Sequence, residues 1–404
     1  MAVRTLLQDR IAAKIEAWQA RVQATQAEGL YFFNQPVDEL LSPTRVRIGQ
    51  RELLMFASYS YLGLIGHPRI NAAAQAAVAR YGTGTHGVRL LAGTLALHHE
   101  LEAGLAAFTG REAAVTFSSG YVTNLTAIST LLSRHDMVFS DKLNHASIVD
   151  GCQLSGADFV RFRHNDMADL ERCLRRARPG AARLVVVDAV FSMDGDIADL
   201  PRLAELCQAH DAWLMVDEAH SVGVLGAAGH GLEEHFGLPG VIDLKMGTLS
   251  KTIPSVGGYL AGRADLIHLF RHAARAFIFS AALPPAQAAA ALAALDVIQA
   301  EPERVAAVQA NARYFRDQLR ALGFDTLNTE TAIVPILCGP DERAYAMVRE
   351  CQQRGLFALP VISPAVPEGL ARLRTTVTAA HTRAEIDLAL DVLAQAGRAV
   401  GVIA

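Results

Sequence analysis

The stretch Ala212-Trp213-Leu214-Met215-Val216-Asp217-Glu218-Ala219-His220-Ser221 is an apolar, β-prone run that changes abruptly to polar residues. A second run, Val241-Ile242-Asp243-Leu244-Lys245-Met246, leads in the same way into Gly247-Thr248-Leu249-Ser250-Lys251-Thr252. In α/β proteins, functional groups collect at the carboxyl ends of buried strands. The two runs therefore predict an α/β fold in which the acid, the imidazole and the lysine that follow these strands lie close together.

Strands and helices alternate along the chain from about residue 59 to about residue 283. Apolar and β-branched runs predict five strands in this part, namely Ala113–Phe117, Met137–Ser140, Phe159–Phe162, Arg183–Asp188 and Trp213–Asp217. Because helical stretches separate most of these strands, the pattern predicts a mostly parallel sheet with helices on both faces.

The two ends of the chain have a different organisation. Apolar residues recur at roughly helical spacing in the first thirty residues, and short strand-like segments follow around Arg45–Ile48 and Leu53–Phe56. After Pro284-Pro285, an Ala-rich helix extends to about Gln299, and alternating helices and strands then predict a smaller α+β domain. We therefore predict an N-terminal helix with short strands over 1–58, a large cofactor-binding domain over 59–295 and a small C-terminal domain over 296–404.

Composition excludes several classes of protein. A chain of 404 residues is long for one hydrophobic core, and a net charge of −4 gives no basic footprint for nucleic acid. No apolar run is long enough to span a bilayer, and the N-terminus lacks the order of a signal peptide. Five scattered cysteines without a CxxC pair argue against a disulfide framework or a metal site. We expect a cytoplasmic enzyme that binds neither metal nor nucleic acid.

The chemistry of pyridoxal 5'-phosphate (PLP) requires the three residue types that follow the two opening strands. A lysine forms a Schiff base with the cofactor aldehyde, and a carboxylate pairs with the pyridinium nitrogen. Asp217 ends an apolar strand and must therefore find a partner for a buried charge, while His220 could reach the cofactor's phenolic oxygen. A lone lysine such as Lys251 is most often a surface residue, but the three residues together predict a PLP site.

Three further motifs have residue types that suit such a site. Ser118-Ser119-Gly120-Tyr121-Val122-Thr123-Asn124 follows a strand and opens a helix, where free N–H groups can bind the cofactor phosphate. His145, in Asn144-His145-Ala146-Ser147, could stack on the cofactor ring. Arg372 and Arg374 lie on the same face of a predicted strand, so spacing alone does not decide which of them grips a substrate carboxylate.

Taken together, these motifs resemble those of the α-oxoamine synthases, a branch of the fold-type I PLP enzymes, from about Leu53 to about His381. The matching segments are Ser60-Tyr61-Leu62-Gly63-Leu64, His145-Ala146-Ser147, Phe191-Ser192-Met193-Asp194-Gly195-Asp196, Asp217-Glu218-Ala219-His220, Gly247-Thr248-Leu249-Ser250-Lys251 and Phe279–Pro285. Members of this family, which include 8-amino-7-oxononanoate synthase and serine palmitoyltransferase, condense a small amino acid with an acyl thioester. Carbon dioxide is lost and an α-amino ketone is formed.

The resemblance implies a role for each matching residue. Lys251 would be the Schiff-base lysine and proton-transfer base, and Arg374 would be the carboxylate clamp. The other cofactor contacts implied are Asp217 at the pyridinium nitrogen, His220 at the phenolic oxygen, His145 on the ring, Ser192 and Thr248 along the cofactor, and the N–H groups of Gly120 and Tyr121 at the phosphate. The family's shared active site further implies a homodimer.

Two departures from the family's pattern concern Ser60 and Ser280. Ser60 replaces the usual asparagine near the substrate carboxylate, and Ser280-Ala281 replaces the usual Ser-Thr. The phosphate contact from the partner subunit therefore falls to Ser280 or is lost. The stretch 147–165 looks closest to the serine palmitoyltransferase branch.

Several alternatives remain open from the sequence. Coenzyme A or a separate acyl-carrier protein could present the acyl group. Another fold-type I enzyme, such as an aminotransferase, would share Lys251 and Asp217. A non-catalytic partner subunit is a third interpretation, which the retention of Lys251, His145 and Asp217 together disfavours.

Overall fold

The computed structural model describes residues 5–404, in which helices and strands alternate through most of the chain. The helices are α1 (Leu6–Ala27), α2 (Pro68–Tyr81), α3 (Ala96–Thr109), α4 (Gly120–Leu131), α5 (Ala146–Ser155), α6 (Met167–Arg175), α7 (Leu200–Ala209), α8 (Leu232–Phe236), α9 (Ala264–Ala273), α10 (Arg275–Phe279), α11 (Pro285–Ala300), α12 (Glu303–Ala321), α13 (Asp341–Gln353) and α14 (Arg383–Ala399). The strands are β1 (Glu39–Ser42), β2 (Arg45–Ile48), β3 (Arg51–Met55), β4 (Ala113–Phe117), β5 (Met137–Asp141), β6 (Asp158–Phe162), β7 (Arg183–Asp188), β8 (Trp213–Asp217), β9 (Leu244–Ser250), β10 (Pro254–Gly262), β11 (Ile333–Gly339), β12 (Leu356–Phe357), β13 (Pro360–Val361) and β14 (Ala371–Thr376).

A seven-stranded sheet in the order β4-β10-β9-β8-β7-β5-β6 forms the centre of the fold. Strands β5 to β9 pair in parallel, whereas β10 runs antiparallel to both of its neighbours, β4 and β9. The predicted α/β class with a mostly parallel sheet is thus confirmed. In the register of β7 with β8, Asp188 lies opposite Asp217, so two carboxyl groups end adjacent strands.

Both faces of this sheet are buried, which explains the continuous apolar runs in its strands. Val185 and Val187 of β7 belong to one hydrophobic cluster, while Leu184 and Val186 belong to another on the opposite face. Successive side chains of a strand point to opposite faces, so helices must cover both sides to bury all four. The polar strand ends are therefore the places where this sheet can present chemical groups.

Two smaller sheets lie outside the large one. The first has the order β1-β2-β3-β12, in which Leu356 and Phe357 pair in parallel with Leu54 and Met55. The second has the order β11-β14-β13 and contains both Arg372 and Arg374 on β14. The N-terminal and C-terminal parts of the chain therefore share a sheet, and the three-part division at residues 58 and 295 stays a prediction.

Strand β10 is the main element that sequence analysis missed. It contains Gly257 and Gly258, which weaken a strand pattern because glycine has no side chain to pack. In the fold, a Cβ at Gly258 would lie 2.4 Å from Thr123 Oγ1 and 2.7 Å from Gly120 Cα. Only glycine allows the start of α4 to approach this strand so closely.

Helix α1 begins after Thr5, whose side chain forms a capping box with Gln8, and it has no buried side chain. Of the helices in residues 5–404, none is both long and apolar enough to cross a membrane.

Candidate active site

A cavity of about 250 Å³ lies at the carboxyl ends of β7, β8 and β9 and at the start of α4. Eight residues that sequence analysis singled out line it, namely Gly120, Tyr121, His145, Ser192, Asp217, His220, Thr248 and Lys251. Parallel strands place their carboxyl ends at the same edge of a sheet, which brings together segments more than 100 residues apart. The fold thus assembles most of the predicted site in one place.

Lys251 follows the end of β9 and points its amino group at His220. Its Nζ lies 2.9 Å from Nε2 of His220. Burial lowers the pKa of Lys251 to about 8, although the nearby carboxyl groups of Asp217 and Asp188 oppose this shift. At pH 7 roughly one-tenth of Lys251 is therefore uncharged, as a nucleophile or proton acceptor must be.

His220 connects Lys251 to a buried tyrosine. Its Nδ1 lies 2.6 Å from the hydroxyl of Tyr61, a fully buried side chain. Burial, together with the positive charge of Lys251, lowers the pKa of His220 well below the usual range. The imidazole is therefore neutral, so one ring nitrogen must accept and the other must donate a hydrogen bond.

Asp217 and Asp188 form a buried pair of carboxyl groups beside this cavity. Asp217 accepts hydrogen bonds from the N–H of Ala219 at 2.9 Å and from Nδ2 of Asn124 at 2.7 Å. Burial and the charge of Asp217 raise the pKa of Asp188 well above its usual range. The raised pKa favours the protonated form of Asp188, which lessens the repulsion between two carboxyl groups at adjacent strand ends.

His145 presents its ring to the cavity while its other contacts fix its orientation. The N–H of His145 donates to Asp188 at 2.8 Å, and the N–H of Ser147 donates to Nδ1 of His145 at 3.2 Å. The second contact leaves the proton of a neutral ring on Nε2. Burial lowers the pKa of His145, which favours this neutral form.

The start of α4 forms one end of the cavity. Ser119 caps the helix by accepting from the N–H of Val122 at 3.2 Å. The helix begins at Gly120, so the N–H groups of Gly120 and Tyr121 have no intrahelical acceptor, and the helix dipole favours an anion here. A Cβ at Gly120 would lie 3.0 Å from Thr248 Oγ1, so a larger residue would crowd the contact between the start of α4 and β9.

The structure distinguishes the two arginines of β14. Arg372 forms an ion pair with Asp194. Arg374 is 6% exposed, donates from Nε to the carbonyl oxygen of Ser192 at 2.6 Å and lies 4.8 Å above the ring of Tyr59. Among residues 5–404, no carboxylate pairs with Arg374. A buried guanidinium with unused donors is a binding site for an anion, and this site borders the cavity through Ser192.

Ser60 and Ser280 do not line this cavity. Ser60 is buried, and its Oγ accepts from the N–H of Leu64 at 3.1 Å, which stabilises a turn. Ser60 also borders a neighbouring cavity of about 400 Å³ that includes Lys251. Ser280 ends α10 beside Phe279, which is 75% exposed. Ser280 itself is half-buried within one chain, and its contact with a partner's phosphate stays a prediction.

Sequence analysis assigned no role to Tyr61, Asn124 or Asp188. Asp188 ends a predicted strand just as Asp217 does, so the same signal could have identified it. Asn124 and Tyr61 lie within motifs already quoted, but their contacts with Asp217 and His220 span 93 and 159 residues. No local pattern in the sequence predicts such contacts.

The groups around the cavity fit PLP. They provide a lysine with a lowered pKa, a buried carboxylate for the ring nitrogen, an exposed imidazole face for stacking and a helix N-terminus for the phosphate. Oδ1 of Asn124 is buried without a hydrogen-bond partner within the described residues and lies at this cavity, as expected where a ligand completes the set of contacts.

Comparisons with known proteins agree with this geometry. The family described as "Aminotransferase class I and II" matches residues 51–393. The 8-amino-7-oxononanoate synthase 1 of Bacillus velezensis is 46% identical over 353 residues, covering 87% of this chain and 90% of that protein. The serine palmitoyltransferase of Sphingobacterium spiritivorum is 43% identical over 370 residues, covering 92% of each.

A solved structure also agrees with this chain in shape. Serine palmitoyltransferase from S. paucimobilis, with bound PLP and myriocin, superposes with a TM-score of 0.95 at 37% identity, over 99% of this chain and 100% of that one. Sequence identity, near-complete coverage and the assembled cavity all lead to the same assignment. The chain belongs to the α-oxoamine synthase branch of the aminotransferase class I and II family and is a PLP-dependent acyltransferase of fold type I.

Proposed function

We propose that this enzyme condenses a small amino acid with an acyl thioester, releasing carbon dioxide and a free thiol and forming an α-amino ketone. The observation that supports this most directly is the buried Arg374, which has no carboxylate partner in residues 5–404 and borders the Lys251 cavity. A cation in that position can hold the carboxylate of an amino acid while the lysine acts on its α-carbon.

Eight residues would hold the cofactor. Lys251 would attach it, Asp217 would keep its ring nitrogen protonated, His220 would bond its phenolic oxygen and His145 would stack on its ring. Ser192 and Thr248 would line it, and the N–H groups of Gly120 and Tyr121 would bind its phosphate. When bound, PLP supplies an electron sink for the pair of electrons left on the α-carbon.

The remaining chemistry belongs to side chains of this protein. Arg374 orients the amino acid through its carboxylate. Lys251 removes the α-proton, and its lowered pKa suits this transfer near neutral pH. Neutral His220 accepts or donates at Nε2 without adding a positive charge beside Lys251. The α-carbon then bonds to the thioester carbonyl carbon while the C–S bond breaks, and the thiolate leaves and takes a proton from water. Loss of carbon dioxide from the resulting β-keto acid leaves an electron pair on the same carbon, which takes back the proton held by Lys251.

We infer a homodimer in which each site is completed by Ser280 of the other subunit. Support comes from the exposed apolar side chains of Phe279 and Leu91 next to this segment, which are 75% and 81% exposed. A backbone bridge between Val88 and Ala281 joins the loop that contains Leu91 to the segment that follows Phe279. Exposed apolar patches of this kind mark protein interfaces.

The curated relatives are mostly 8-amino-7-oxononanoate synthases. The expected similarity to the serine palmitoyltransferase branch is therefore not favoured over membership of the 8-amino-7-oxononanoate synthase branch. Glycine, alanine and serine are the candidates to test, with coenzyme A or a carrier protein presenting the acyl group.

The deciding experiment is a spectroscopic titration of the holoenzyme with glycine, alanine and serine in turn, followed by an acyl-CoA series. We expect a saturable shift of the cofactor's visible absorption with one amino acid and carbon dioxide release only when a thioester follows. Lys251→Ala should lose this release. Bleaching to pyridoxamine phosphate with amino transfer to a keto acid would instead identify an aminotransferase. A colourless protein that resists reconstitution would remove the enzyme assignment.

A further inference from the structure

An apolar groove of about 460 Å³ lies between helix α1 and the small C-terminal sheet. We call it the α1 groove and define it by six of its lining residues, Trp18, Val22, Phe33, Met193, Tyr345 and Ile362. On its aromatic wall, the rings of Phe33 and Tyr345 pack edge to face with their centroids 6.4 Å apart. Arg21 donates to the carbonyl oxygen of Ser363 at 2.7 Å and so ties α1 across the groove.

The inner end of the α1 groove adjoins the candidate active site. Met193 lines the groove and Ser192 lines the cofactor cavity, and the Cα atoms of consecutive residues are about 3.8 Å apart. Arg374 donates to the carbonyl oxygen of Ser192 at 2.6 Å. On the other wall, Val361 lies opposite Arg372 in the pairing of β13 with β14. The turn at residues 192–194 is thus shared by the carboxylate clamp and the groove.

We propose that the acyl chain of the thioester substrate lies in the α1 groove, with its carbonyl end at Met193 and its methyl end toward Trp18. This inference rests on the proposed function, which requires an acyl group beside the amino acid held by Arg374. The cofactor cavity is smaller and most of the residues that line it are polar or charged, whereas the groove offers apolar side chains along its length. A hydrocarbon chain gains free energy in proportion to the apolar surface that it buries there.

Trp18 provides a direct measure of occupancy. The chain has two tryptophans, and Trp213→Phe at the half-exposed start of β8 leaves Trp18 as the only one. Added to this variant, acyl-CoA should change the tryptophan emission saturably, while free coenzyme A should not. The dissociation constant should fall about fourfold per added methylene until the groove is full. If the Trp18 emission does not change with acyl-CoA, or changes equally with free coenzyme A, the proposal is wrong.

Ala365→Phe tests the groove through specificity. Ala365 lines the groove and is exposed, so the larger side chain can be accommodated without repacking a core. We expect the ratio of kcat/KM for short over long acyl chains to rise at least tenfold. Ala168→Phe, at an exposed position of α6 away from the groove, should leave the ratio unchanged. An unchanged ratio in Ala365→Phe would contradict the proposal.

The outcomes separate this inference from the proposed function. If carbon dioxide release requires a thioester but Trp18 and Ala365→Phe do not respond to chain length, the function stands and the α1 groove is not the acyl site. If no thioester supports release while the amino-acid titration succeeds, the proposed function itself fails. If Trp18 emission depends on protein concentration rather than on acyl-CoA, a second copy of the chain covers the groove, and the proposal is wrong.

Discussion

Tyr61 is the residue that links the two halves of the proposed reaction. Its hydroxyl lies 2.6 Å from Nδ1 of His220 and 3.4 Å from Nη2 of Arg374, so it joins the imidazole beside Lys251 to the carboxylate clamp. Burial raises the pKa of Tyr61 to about 12, which keeps the hydroxyl protonated at all working pH values. A protonated hydroxyl can both donate and accept, so it can follow His220 between its two neutral tautomers.

Tyr61→Phe should therefore slow the reaction. Without the hydroxyl, Nδ1 of His220 is buried with no partner, at a cost of about 1–3 kcal/mol. We expect kcat to fall roughly tenfold or more, and the pH at which the cofactor's absorption changes should shift. Steady-state kinetics and a spectral pH titration measure both. An unchanged spectral titration would show that the hydroxyl does not position His220. Tyr259→Phe, a buried tyrosine outside the cavity lining, serves as the control.

The lowered pKa of Lys251 predicts how cofactor uptake depends on pH. Only the uncharged amine attacks an aldehyde, and at pH 7 a pKa of about 8 leaves roughly one-tenth of Lys251 uncharged. The rate at which the apoenzyme recovers its colour with PLP should rise about tenfold between pH 7 and pH 9 and then level off. Stopped-flow absorbance measures this rate as a function of pH. Lys251→Arg, which lacks the amine that attacks the aldehyde, serves as the negative control. If the rate of colour recovery still rose tenfold per pH unit above pH 9, the pKa of Lys251 would be that of an ordinary lysine.

At the level of elements, His164 joins two loops at the carboxyl edge of the large sheet. Its Nδ1 lies 3.1 Å from Asp141 at the end of β5, and its Nε2 lies 2.9 Å from Asp196, beyond β7. Burial would lower the pKa of His164, but hydrogen bonds to the two carboxylates outweigh it and raise the pKa to about 10. The protonated ring therefore ties the loop after β6 to the loop that carries Ser192.

His164→Gln should destabilise the protein most at low pH. Because the folded pKa is raised above the unfolded value of about 6.5, the stabilisation is fully present below pH 6.5 and disappears as pH rises through about 10. We expect a loss of roughly 1–3 kcal/mol at pH 6 that shrinks steadily toward pH 10, measured by urea unfolding. The exposed His135 provides a matched control as His135→Gln. A loss that does not vary with pH would contradict the charged triad.

Strands with a clear apolar pattern in the sequence could be predicted. An element whose residues are chosen by close contact with a distant part of the chain could not. The strands Ala113–Phe117, Arg183–Asp188 and Trp213–Asp217 have the bounds that their apolar runs predict. Strand β10 was not predicted, because its glycines are required by the close approach of the start of α4, which lies more than 130 residues earlier in the sequence. The choice of Arg374 over Arg372 likewise depended on Asp194, which neutralises Arg372 from another loop.

At the scale of the whole molecule, the inferred homodimer predicts a coupled loss of assembly and cofactor. Phe279→Asp places a charge on a side chain that is 75% exposed in one subunit and next to Ser280. We expect the sedimentation coefficient to fall to that of a monomer and PLP to dissociate at least tenfold more readily. Leu388→Asp, on the exposed side of α14, should change neither. A monomer that retains PLP with wild-type affinity would show that the site is not shared.

The pairing of β3 with β12 has a consequence for how the chain is made. Leu54 and Leu356 lie side by side although about 300 residues separate them, so the first small sheet is incomplete until almost the whole chain has left the ribosome. At about 5–20 residues per second, translation of that interval takes roughly 15–60 s. During this time the edge of β3 that later pairs with β12 is unpaired, and unpaired strand edges promote aggregation. Nascent chains stalled before residue 356 should therefore depend on chaperones far more than the released protein does.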